Sequence, residues 1–107
     1  MRRIQELKSE FRVIENLNLY NTDSRDFELL ESNRDHLDFI EEIIDSKALE
    51  SLEYMFLEVE SGAYFVLKGK ANLIMLMEIN SLANFNKPIL ILKSKSTLHD
   101  LEKRKIA

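Results

Sequence analysis

Three apolar runs, separated by the chain's two glycines, constrain this sequence more than anything else in it. Residues Tyr54 to Glu60, Ala63 to Lys68 and Asn72 to Ile79 each read as a strand, and Gly62 and Gly69 fall in the two short gaps. Glycine supplies the positive φ of tight hairpin turns, so the pattern predicts an antiparallel meander. The alternation within it is unusual. Met55, Leu57 and Val59 share one face, with Tyr54 and Phe56 on the other; Leu73, Met75, Met77 and Ile79 oppose Ile74 and Leu76. A sheet with one wet face carries a polar residue at every second position. Here both faces are apolar, so the sheet must be covered on both sides, by helices or by a partner.

Helices are available to do so. Ile4, Leu7, Phe11 and Ile14 are spaced by three, four and three, which makes one helix face. That helix ends near Phe11 or runs on to Leu17. Residues 12–20 fit a strand equally well, with Val13, Leu17 and Leu19 on one face. The cluster Asn21-Thr22-Asp23-Ser24 predicts a turn, and Phe27 to Leu30 a short strand. Ser32 with Asp35 has the form of a capping box. Leu37, Ile40 and Ile44, widened by Phe39 and Ile43, then predict a helix from about Asn33 to Ser46, extendable to Leu52. Pro88 opens either a helix or a strand. Ile89-Leu90-Ile91-Leu92 fits a buried strand or part of one helix from Pro88 to Lys105, and Thr97 with Asp100 offers a further cap.

The chain has 107 residues, room for one domain over 1–107, and its 45% hydrophobic content is that of a globular protein. It has no cysteine, which excludes disulfides, thiolate catalysis and thiolate metal sites. A net charge of −4 argues against general nucleic-acid binding. Two short basic ends, Met1-Arg2-Arg3 and Lys103-Arg104-Lys105, read as solvated termini. The residues after Arg3 are charged rather than a leader-like apolar run, and the longest apolar stretches are about seven residues, well short of a bilayer span. A cytoplasmic protein without membrane insertion is expected.

Few residues suggest chemistry. His36 and His99 each lack a second histidine at helical spacing, so no metal or other cofactor is expected. Glu41, Glu42 and Asp45 form an acidic helix surface. Glu58 and Glu78 lie inside apolar strands, where a carboxylate either protects an open edge or is held by a partner. There is no glycine-rich phosphate loop and no Gly-x-Ser-x-Gly elbow. Tyr54, Phe56, Tyr64 and Phe65 read as core rather than as a base-stacking platform. An enzyme is not expected.

The order α-β-β-α-β-β-β-α, and above all the run Leu52 to Glu60 through Leu73-Ile74-Met75-Leu76-Met77 after the central helix, resembles the roadblock/dynein light chain family. That resemblance implies an α+β fold with a five-stranded antiparallel sheet between helices, and no catalytic residues. It further implies a homodimer that pairs the central helix and third strand with a second copy, with Ile40, Ile43, Ile44, Tyr54, Phe56 and Glu58 at the interface. Such proteins scaffold or regulate small Ras-like GTPases. Two departures stand out: the turn Asn21 to Asp26 has no glycine, and the last helix must accommodate Asn86-Lys87-Pro88 and the β-like run after it. An alternative follows from charge alone. An acidic protein could neutralise a basic toxin nuclease through Glu41, Glu42 and Asp45.

Overall fold

The computed structural model describes residues 2–46, 50, 52–60, 62–80 and 85–106. Helix α1 (Arg2–Glu10) buries Ile4 and Leu7. Phe11 continues that apolar face and its N–H donates to Leu7 O at 3.0 Å, but the helix goes no further. Strand β1 (Ile14–Asn21) takes over, so Ile14 belongs to the sheet and not to the helix face. Strand β2 (Asp26–Leu29) folds back on it. A 3-10 turn (Arg34–Leu37) leads into α2 (Phe39–Asp45). The meander follows as β3 (Tyr54–Val59), β4 (Gly62–Lys68) and β5 (Leu73–Ile79), and helix α3 (Lys87–Ile106) closes the order. The sheet order is β2-β1-β5-β4-β3 and every pairing is antiparallel. The architecture is α+β: among the described residues, an open five-stranded sheet with the helices α1, α2 and α3, in the order expected from the sequence.

The two-faced apolar pattern is satisfied as expected for all strands but the outermost. One face carries Leu17, Leu19, Phe65, Leu67, Met75 and Met77 under α1 and α3, whose Ile4, Leu7, Leu90 and Leu98 are buried against it. The other face carries Tyr20, Tyr64, Val66, Ile74 and Leu76 under the α2 region, which contributes Leu37 and Ile40. β5 lies between β1 and β4 and is buried from Leu73 to Met77.

Several local expectations are corrected. Gly62 has φ +149°, a conformation glycine adopts freely, but Gly69 has no such need. Its glycine is required by space: an added Cβ would lie 2.5–2.7 Å from the Glu102 carboxylate. That buried carboxylate accepts the N–H groups of Lys70 (2.9 Å) and Ala71 (2.7 Å), tying α3 to the β4–β5 turn. The positive φ of the β1–β2 turn falls on Arg25, at +54°. Ser32 is not the cap of the central helix. Asn33 caps the 3-10 turn by accepting Asp35 N–H at 3.0 Å. Of the possible extension to Leu52, residues 47–49 and 51 lie outside the described residues, Glu50 is helical, and Leu52 itself is exposed and not helical. The run Ile89 to Leu92 is helical, with Asn86 accepting Ile89 N–H at 3.1 Å as the cap, so Thr97 and Asp100 lie within α3 and cap nothing.

Ser32 instead joins a buried polar network around Asn18. The Asn18 carbonyl oxygen accepts Glu31 N–H (2.8 Å) and Ser32 N–H (3.0 Å); its amide donates to Ser32 Oγ (3.0 Å) and Leu76 O (3.3 Å). Ser32 Oγ in turn donates to Glu78 at 3.0 Å. One side chain thereby satisfies the backbone leaving β2 and fastens it beneath the sheet. Removing it strands buried donors and acceptors, which costs ~2–4 kcal/mol. Asn18→Ala is therefore expected to lower the unfolding free energy by about that amount in a urea titration, while Arg12→Ala, on an exposed turn, changes it by less than ~0.5 kcal/mol.

Candidate functional site

An edge strand presents the most reactive backbone of any sheet, because half of its N–H and C=O groups have no strand to meet. The two edges of this sheet differ sharply. β2 is four residues long, carries Asp26 and Glu28, and pairs across a register shift at Leu19/Tyr20. The Asp26 side chain also accepts Phe27 N–H at 2.8 Å. Short length, charge and irregular pairing are the usual defences of a sheet edge.

β3 has none of these except one charge. It is six residues long and pairs only with β4 among the described strands. Residues on an antiparallel strand alternate between those bonded to the neighbour and those facing away. Lys68 N–H donates to Glu53 O at 2.9 Å, and Tyr54 is opposite Leu67, so Glu53, Met55, Leu57 and Val59 bond to β4. The N–H and C=O groups of Tyr54, Phe56 and Glu58 therefore point to the open side. These are the three strand residues that the resemblance assigns to an interface.

Both faces of β3 are half-covered. Phe56 stacks on Phe65 with ring centroids 4.5 Å apart and planes at 15°, and Phe85 and the Lys87 ammonium (5.2 Å from its centroid) lie over its flank. Tyr54 is exposed. On the other face Met55, Leu57 and Val59 are half-buried beside the α2 cluster. Of the three helix residues, Ile43 and Ile44 are half-buried, whereas Ile40 is only 2% exposed and belongs to the core of its own chain. The strand carboxylates divide as their positions dictate. Glu58 sits exposed on the open edge; Glu78, on central β5, is held by Ser32 and by Asn16 (3.4 Å).

The acidic surface of α2 is partly committed within the molecule. Glu41 accepts the Tyr20 hydroxyl in a short hydrogen bond and the Arg25 guanidinium at 2.7 Å; Asp45 lies 3.7 Å from the same guanidinium. Glu42 is exposed. The turn conformation at Arg25 aims this cation at α2, which no residue-type pattern announces. His36 and His99 are both exposed and far apart in the chain's order, and His99 borders an open groove of about 710 Å³ floored by Leu67 and Leu98. Among the described residues no three His, Asp or Glu side chains group as a metal site.

No protein-family model matches the chain, and no curated protein matches it.

The Tyr20–Glu41 contact has a testable pH signature. Burial, the hydrogen bond to Glu41 and the nearby carboxylate charge push the Tyr20 phenol up from 10.0 to about 12. The folded state thus favours the protonated phenol. Its stabilisation is complete below pH 10 and is lost as pH rises from about 10 to 12. Urea titrations at pH 8 and pH 11 should show a loss of stability in the native chain that is smaller in Tyr20→Phe. An identical loss in both would show that Tyr20 does not carry it.

Proposed function

We propose that this chain is a non-catalytic protein-binding subunit that pairs edge to edge with a second copy through β3. The observation that carries this reading is the outward row of N–H and C=O groups at Tyr54, Phe56 and Glu58, on a strand apolar on both faces. Antiparallel pairing of two such strands satisfies both rows at once. It also covers Phe56, Met55 and Leu57 from the side that α2 and α3 leave open. Ile43 and Ile44, half-buried on α2, extend the same contact.

The element order and the wholly antiparallel five-stranded sheet support placing the chain with the roadblock/dynein light chain proteins. On that reading the pair is a cytoplasmic scaffold or regulator of a small Ras-like GTPase, which brings the nucleotide chemistry itself. His36→Ala and His99→Ala then leave function intact. The acidic-binder alternative loses ground because Glu41 is engaged by Tyr20 and Arg25.

The pairing has a clean test. Proline lacks an N–H, so it is tolerated on an edge strand only where that N–H points outward. Glu58→Pro is expected to keep the fold, judged by circular dichroism and melting temperature, and to convert a dimer into a monomer in sedimentation equilibrium. Leu57→Pro removes a β4 hydrogen bond and is expected to unfold the chain. A native chain that is monomeric at about 100 μM, roughly what a weak interface needs, would sink the proposal. A monomer that binds a basic nuclease with steep salt dependence would favour the acidic-binder reading instead.

A further inference from the structure

The fold brings together two basic ends that lie far apart in sequence. α1 runs antiparallel to α3: Arg3 reaches Ser96 (3.3 Å) and Asp100 (3.0 Å), and Lys93 reaches Glu10 (3.0 Å). Arg2 and Arg3 therefore lie beside the part of α3 that leads to Lys103 and Arg104. Residues 2–10 and 87–106 hold nine Lys and Arg against four Asp and Glu, a net of +5. The rest of the chain carries −9, giving the total of −4.

The acids of this layer are already engaged. Arg2 and Arg3 hold Glu6, Lys93 holds Glu10, Arg3 holds Asp100, and two backbone N–H groups hold buried Glu102. Lys103 and Arg104 are exposed and make no ion pair among the described residues. Two of the nine cations, Lys8 and Lys95, are held in turn by Glu31 and Glu53 from outside the layer, which leaves seven against four, an excess of three, with the layer's own carboxylates occupied.

It also offers aliphatic side chains. A helix turns inward only part of a four-residue apolar run. Leu90 and Ile91 take the inward positions, which leaves Ile89 and Leu92 outside at 44% and 68% exposure. They share the outer side of α3 with Lys93 and Ser96. A nucleic acid is met by cations together with aromatic or polar groups that reach its bases, and this layer exposes no Phe, Tyr or Trp side chain among the described residues. Cations flanking exposed aliphatic groups on one layer match the chemistry of an anionic lipid surface, with charge at the head groups and aliphatic carbon at the interface.

We propose that the α1/α3 face docks peripherally on an anionic bilayer. The net negative charge of the chain does not oppose this. The shortest dimension of the molecule is 26 Å, while fixed charges are screened beyond about 8 Å at physiological ionic strength, so the bilayer responds to the near face. The inference stands on a single copy and does not rest on β3 pairing. Should pairing occur about an axis normal to the sheet, both basic layers would lie on the same side and act together.

Co-sedimentation of the full chain with extruded vesicles tests it, using neutral phosphatidylcholine and phosphatidylcholine containing roughly one third phosphatidylserine, at about 0.05 and 0.5 M salt. The chain is expected to pellet with the anionic vesicles at low salt, to be released at high salt, and to ignore the neutral ones. Lys103→Glu with Arg104→Glu should weaken binding by roughly tenfold or more. Ile89→Ser with Leu92→Ser should weaken it severalfold. Arg2→Glu, on the exposed end of α1, is the second charge variant should the double change disturb α3; circular dichroism reports that. Absence of pelleting with anionic vesicles at low salt, or equal pelleting with neutral ones, overturns the proposal. Retention by soluble polyglutamate without vesicle binding overturns it in favour of an acidic protein partner.

Discussion

Everything in this molecule hangs on β5 being enclosed in all four directions. β1 and β4 bond to its two edges, α1 and α3 cover one face, and the α2 region covers the other. Met75, Leu76 and Met77 are fully buried. Each such side chain contributes about 1.5–3 kcal/mol when removed from water. A strand buried on both faces cannot slip by one residue without exchanging one apolar set for another, so the surrounding elements, rather than its own pattern, select its register. The Glu102 carboxylate at the β4–β5 turn and the Asn18 network beneath β1 are two such external locks.

Enclosure falls off toward the rims, and it does so unevenly. On the β2 side the chain stops short, adds charge and irregular pairing, and leaves little for another strand to recognise. On the β3 side six residues remain regular and half-covered. Glu58 is the single charge facing outward there, too little to deter pairing and correctly placed to flank it. The contrast between the rims, more than the openness of either one, is what supports the proposed pairing through β3.

The meander was legible because strands alternate with a period of two, and Gly62 and Gly69 punctuate the runs. The covering of both faces followed from the absence of polar residues at alternate positions. What stayed hidden was long-range. Periodicity carries no information on which strands become neighbours, so β1 lying beside β5 could not be read. Gly69 looked like a conformational glycine, whereas it makes room for a side chain more than thirty positions away. Arg25 occupies a left-handed turn that residue preferences assign to glycine or asparagine, and its role is to meet Glu41. The Ile89 to Leu92 run was ambiguous for a physical reason: only two of its four side chains are needed inside. The resemblance groups Tyr54, Phe56 and Glu58, and the hydrogen-bond alternation gives that grouping a physical basis, since all three turn their backbone groups to the open side of β3. Ile40, grouped with them, is buried in the core of its own chain, because a helical stripe does not reveal which of its members face inward.

Strand β1 pairs along its length with β5, from Ile14 opposite Ile79 to Asn21 opposite Leu73. During translation the first strand therefore emerges long before the one it must join. Its apolar side chains wait beside β2 alone while the intervening segment is made. Such a topology delays closure of the sheet until the last hairpin is made, and leaves the inner edge of β1 open until then.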